Sequence, residues 1–143
     1  MNAKLIIASL AGGVLMFFLG WLVYGVLLMS FYEANTTHYE GLMKEMPNMY
    51  LMVLSNLLMG FLLAFMFQRW AGFKTLSAGL TGGLIFGFLI ALIYDLYFLA
   101  CMNLFPLKLM IVDVIVSTVI TCITGALIGW ILGFEKKKTP EAV

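Results

Sequence analysis

An all-α fold, a polytopic membrane protein built as a bundle of four transmembrane helices, is what this sequence predicts. Three observations carry the prediction. Of 143 residues, 64% are hydrophobic and only 10% are charged, whereas a soluble domain is about 45–50% apolar and about a quarter charged. A soluble chain of this length would still expose about a third of its unfolded surface after folding, so water is the wrong solvent for it. The charges also fall in clusters, leaving four long apolar runs between them. Finally, those runs are apolar at successive positions, without the alternation of a membrane β-barrel. That leaves the helix, the other structure that satisfies its own backbone in lipid.

The spans follow in order. The first covers about 5–30, where no charged side chain occurs from Leu5 to Ser30. It is longer than the roughly 7–15 apolar residues of a signal peptide, so it is expected to be retained. The second covers 49–67, the third 76–95, ending at Asp95, and the fourth 109–134. Each reaches or approaches the ~20 residues that cross ~30 Å of hydrocarbon. Pro47, Pro106 and Pro140 all fall outside the spans, where a missing backbone donor costs little. An outer loop, 31–48, and a tail, 135–143, complete a single membrane domain, 1–143.

Orientation is read from the basic residues. Lys4, Arg69, Lys74, Lys136, Lys137 and Lys138 share one side, and only Lys44 and Lys108 lie on the other. The positive-inside rule therefore predicts that both termini are cytoplasmic. Tyr32, Tyr39, Tyr50, Tyr94 and Tyr97 fall near the outer boundary and Trp70 and Trp130 near the inner one, the levels that amphipathic rings prefer.

Helices in lipid associate through close backbone approach, so small residues four apart mark the contact ridges. Gly79, Gly83, Gly87 and Ala91 form such a ridge in the third span, ending at Asp95. The fourth carries Asp113, Ser117, Thr121, Gly125, Gly129 and Gly133, the second Asn56, Gly60, Ala64 and Gln68, and the first Ser9 and Gly13. These are expected as packing seams within the bundle. The alternative is that Gly125, Gly129 and Gly133 make a homodimer contact.

Polar residues at depth are costly in lipid and tend to face inward. Asn56, Asp95, Asp113 and Ser117 all fall in the outer third by topology, with Lys108 as a candidate partner. They are candidates for a small outward-facing pocket that binds a cation, a proton or a polar headgroup. The bland reading is that Asp113 is a helix-terminal residue favoured by the dipole and that Asp95 is hydrated at the interface. In the outer loop Tyr39, Leu42, Met43 and Met46 are expected on one face of a short interfacial helix. His38, Met43 and Met46 are weak candidates for a soft metal, with flexible apolar filling the simpler account. Cys101 and Cys122 lie at different depths and are not expected to pair.

No nucleophile elbow, phosphate loop, HExxH or dinucleotide fingerprint occurs in the sequence, which argues against an enzyme and against a cofactor. The near-neutral charge gives no reason to invoke nucleic acid. Three function classes remain, one of them an external metal or redox sensor using the methionine-rich loop around His38, Met43 and Met46. The first is a non-enzymatic membrane protein that self-associates or serves as an accessory subunit of a larger complex, with the lipid bilayer, a second copy or a partner membrane protein as its contacts. The second is a small transporter or channel-like protein using the polar pocket.

Leu19-Gly20-Trp21-Leu22-Val23-Tyr24-Gly25, Pro106-Leu107-Lys108-Leu109 and Gly125-Ala126-Leu127-Ile128-Gly129-Trp130 together resemble the bacterial four-span family catalogued as domain of unknown function 1761. In that family a tryptophan precedes the tyrosine where Val23 stands here, and an asparagine is usual where Asp113 stands. The resemblance implies a four-helix fold and a bacterial inner-membrane location, and no reaction.

Overall fold

A computed structural model describes residues 3–42, 44 and 46–134; the tail 135–143 lies outside the described residues. The first run forms α1 (Ala3–Leu22), passes through a π-helical turn at Val23–Leu27, and breaks at Leu28, with φ −107° and ψ 1°. A second short helix follows, α2 (Met29–Asn35). The continuous span expected over 5–30 is therefore interrupted, and the start of the expected outer loop is helical. At its end α2 has two of its carbonyls taken by local side chains: Thr36 Oγ1 donates to Tyr32 O at 2.7 Å and Asn35 Nδ2 to Phe31 O at 2.8 Å.

The interfacial helix expected around Tyr39, Leu42, Met43 and Met46 does not form at the described positions. Gly41 sits at φ 76°, a left-handed conformation that ends any helical run there, and Met43 lies outside the described residues. Asn48 then caps α3 (Met49–Met66), accepting from the Leu51 N–H at 3.3 Å. After a second π turn at Phe67–Ala71, Gly72 turns left-handed at φ 64°, and Phe73 N–H closes back on Phe67 O at 3.0 Å. Thr75 caps α4 (Leu76–Cys101), accepting from Ala78 N–H at 3.2 Å. This helix runs six residues beyond Asp95, where the sequence reading ended the span. One carboxylate does not stop a helix whose next residues, Leu96 to Ala100, are apolar. After Pro106, α5 (Leu107–Gly133) completes the chain. With their π turns the four crossing helices are 23 to 27 residues long. At 1.5 Å per residue that is about 35–40 Å, enough to cross a bilayer.

The helices pack in the order α3–α1–α5–α4, with the antiparallel pair α4 and α5 in the most extensive contact. The ends of this row, α3 and α4, barely meet. The glycine ridges explain the tight pairs. A Cβ on Gly129 would lie 2.5 Å from Thr75 O and 2.8 Å from Gly79 Cα, and one on Gly125 would lie 2.9 Å from Gly83 Cα. Gly87 meets the Thr121 side chain, and Gly133 meets Lys74 O. Gly13 and Gly60 seat α1 on α3 in the same way. The predicted ridges are thus seams within one chain. The homodimer alternative for Gly125, Gly129 and Gly133 is corrected, because α4 of the same chain already covers that face.

The bundle is not closed evenly. Leu5, Ala8, Leu63, Ala64, Phe67, Ile128 and Leu132 are all buried, and they cluster at the end carrying Lys4, Arg69 and Lys74, here the basic end. Along the α4 ridge the side chains grow from Gly79, Gly83 and Gly87 to Ala91 and Asp95. Along α5 they grow from Gly133, Gly129 and Gly125 to Thr121, Ser117 and Asp113. Helices that touch backbone to backbone at the basic end must therefore part toward the other, acidic end.

Candidate functional site

Where the helices part there is a cavity of about 370 Å³ to which all four crossing helices contribute. Tyr24 comes from the π turn of α1, Ser55 and Asn56 from α3, Tyr94 and Asp95 from α4, and Asp113 and Ser117 from α5. Met16, Met59, Ile120 and Thr121 line it toward the middle of the bundle. Asn56, Asp95, Asp113 and Ser117, singled out from sequence, are thus brought to one cavity. Topology placed them at one depth, and the structure adds that all four turn inward.

The two carboxylates stand level with each other. Gly87 packs on Thr121, and two turns farther along each antiparallel helix bring Asp95 opposite Asp113. A smaller cavity of about 210 Å³, lined by Tyr32, Phe98, Phe105, Leu109 and Met110, shares both aspartates. The acidic pair therefore stands at the junction of the two spaces. No lysine, arginine or histidine lines either cavity among the described residues.

The pair is not symmetric. Asp113 is well served: Tyr32 O–H donates to Oδ1 at 3.0 Å and Ser117 Oγ donates to Oδ2 at 3.3 Å. A serine has one proton to give, so in the 2.9 Å contact between Tyr24 and Ser117 the tyrosine is the donor. A relay from Tyr24 through Ser117 ends on Asp113. Burial, with the Asp113 charge second, pushes the Tyr32 phenol above its ordinary range, so it remains a donor at physiological pH. Asp95 Oδ2, in contrast, is buried with no hydrogen-bond partner among the described residues. Asn56 Nδ2 donates to Met52 O of its own helix at 2.8 Å.

Lys108, considered as a partner for the carboxylates, sits instead over the Phe31 ring, 4.9 Å from its centroid. Five residues of helix turn it roughly 140° away from Asp113. Tyr24 and Tyr32 are the site residues that the sequence reading missed. The available signal was Tyr24 itself, a phenol inside an apolar span that must find a partner there. Both rings depend on the interrupted first helix: the π turn carries Tyr24, and the break at Leu28 brings Tyr32 edge-on to it at 5.6 Å between centroids. π turns inside helices are frequent at functional sites.

The weak metal candidates are not assembled. His38 Nε2 lies 3.2 Å from Glu33 O, Met46 is 83% exposed, and Met43 is outside the described residues. Among the described residues no group of three His, Cys, Asp or Glu side chains is placed to hold a metal. Cys101 and Cys122 are both free.

No curated protein and no solved structure matches this chain. The model of a family described as predicted membrane protein, DUF2177, matches residues 5–131, which include every cavity residue. The resemblance to family 1761 is corrected accordingly. It rested on three short segments, two of them rich in glycine and aromatic residues, and any bundle needing close backbone approach and interfacial rings will reuse such segments. A chain of four apolar helices, matched over nearly all its length, belongs to the DUF2177 family of predicted membrane proteins.

Proposed function

We propose that this is a non-enzymatic membrane protein of transporter or channel-like type whose outer half binds a cation in the Asp95–Asp113 cavity. The observation that supports this reading is the pairing of two carboxylates from different helices in a cavity that no basic side chain lines among the described residues. Charges inside a bilayer are expensive and mark ligand paths. Two like charges in a low-dielectric site repel, and a bound cation relieves that repulsion. In this reading the acidic end faces outward and both termini are cytoplasmic, following the distribution of basic residues. The self-associating or accessory-subunit reading draws no support from the glycine ridges, which pack within the chain.

The test is ligand-linked stability of the purified protein in detergent. A cation at a hundred times its Kd stabilises the folded state by about 2.7 kcal/mol. Methylammonium and sodium chlorides are titrated at constant ionic strength, with N-methylglucamine as the bulky reference cation. A saturable rise in Tm that disappears in both Asp95→Asn and Asp113→Asn supports the reading. An identical response in all three proteins refutes it.

A further inference from the structure

The outer cavity has a side entrance as well as an acidic end. Its lining is shared by four helices, yet the row α3–α1–α5–α4 leaves α3 and α4 scarcely touching. The two helices on either side of that gap each contribute an exposed residue to the lining: Ser55 on α3, and Tyr94, 61% exposed, on α4. The mouth therefore faces sideways, toward hydrocarbon. Inside it the lining is mainly apolar, from Met16, Met59, Phe86 and Ile90, with the carboxylates at one end. The volume of about 370 Å³ equals that of roughly a dozen waters, which suits a small amphiphile and not a whole phospholipid.

We infer that the cavity takes a monocationic amphiphile, an ammonium group on a short apolar body, which enters from the outer leaflet between α3 and α4. This rests on the cation-binding reading above and names its substrate class. The ammonium occupies the end of the cavity that Asp95 and Asp113 line. The apolar body lies along Met16, Met59, Phe86 and Ile90. A zwitterionic aminophospholipid presents the same ammonium, but its phosphate would approach two carboxylates where no basic residue among the described ones lines the cavity to receive it. The free amine is therefore the occupant.

The experiment uses the full chain in nanodiscs of phosphatidylglycerol, with calorimetric titration of ethylamine, octylamine and octanol, each corrected for uptake by protein-free discs. A buried methylene is worth about fourfold in affinity, so octylamine is expected to bind saturably and at least a hundredfold more tightly than ethylamine. Octanol shows no saturable binding. Asp95→Asn weakens octylamine at least tenfold. Ser55→Trp, which fills the mouth without touching a carboxylate, slows octylamine association with an unchanged melting temperature; Ser55→Phe serves if the tryptophan variant does not fold. If ethylamine binds as tightly as octylamine and both need Asp95, the amphiphile inference fails while the cation site stands. If no amine binds, or if Asp95→Asn changes nothing, both readings fail. Octylamine binding abolished by phosphatidylethanolamine in the discs overturns the choice of a free amine. Unchanged association in a folded Ser55→Trp variant overturns the side entrance.

Discussion

Gly129→Ala is expected to loosen the α4–α5 pair by an amount the geometry sets. The added Cβ would sit 2.5 Å from Thr75 O, 2.8 Å from Gly79 Cα and 3.1 Å from Gly79 N. All three are backbone atoms, so no side chain can swing aside. Reaching 3.4 Å, where ordinary contact begins, moves α4 away by about 0.9 Å. A gap of that size forfeits a quarter to a half of each contact along the seam. Over roughly twenty atom pairs of 0.1–0.2 kcal/mol the loss is about 1 kcal/mol, at the lower edge of the ~1–3 kcal/mol that overpacking costs. Gly20→Ala is the control, since nothing lies within 4 Å of its added Cβ and alanine is the better helix former. The assay is reversible unfolding in mixed micelles, with monomer mass checked in parallel. Gly79→Ala presses on the same contact, so the double variant is expected to cost less than the two singles together. Equal stability of Gly129→Ala and Gly20→Ala would refute the intramolecular seam. Loss of a dimer with unchanged monomer stability would refute it as well.

Three further outcomes follow from named contacts. Gly72→Ala is expected to cost about 1–2 kcal/mol from left-handed strain alone, because the site at φ 64° is otherwise open; a neutral result in the same unfolding assay contradicts that geometry. Tyr32→Phe removes a donor to Asp113 and is expected to cost about 1 kcal/mol, between the usual value for a charged acceptor and the smaller one measured in membranes. In an Asp113→Ala background the same substitution should be nearly silent, and full additivity would show that the bond does not exist. A membrane-impermeant maleimide applied to intact cells should label the exposed Cys101 at the acidic end of α4. Labelling of Cys101 only in inverted vesicles would reverse the proposed orientation.

The candidate pocket was legible because charge at depth is rare enough to point to itself. Asp95, Asp113, Asn56 and Ser117 stand out in apolar runs, and counting from the span ends put them at one level. The tyrosines were not legible in the same way. Tyr32 read as an ordinary interfacial ring, and nothing in Val23–Leu27 announced a π turn. The end of α4 was misplaced for a related reason. A carboxylate reads as a boundary, although the helix continues wherever the residues after it can lie in lipid.

Composition determined that this chain lives in a bilayer, and the spacing of its charges that it crosses four times, because burying each backbone polar group in hydrocarbon permits little else. The four-residue spacing of glycines likewise determined which face of each helix seeks a neighbour. Which neighbour it meets was decided only in three dimensions. The same small-residue ridge fits a helix of its own chain or of another, and local sequence does not encode that choice. Tertiary packing set the Gly125–Gly129–Gly133 ridge against α4 and left α3 and α4 apart. It also broke the first helix so that two phenols could reach across to Ser117 and Asp113. A cavity is the space between helices, so it belongs to their arrangement and to no one of them.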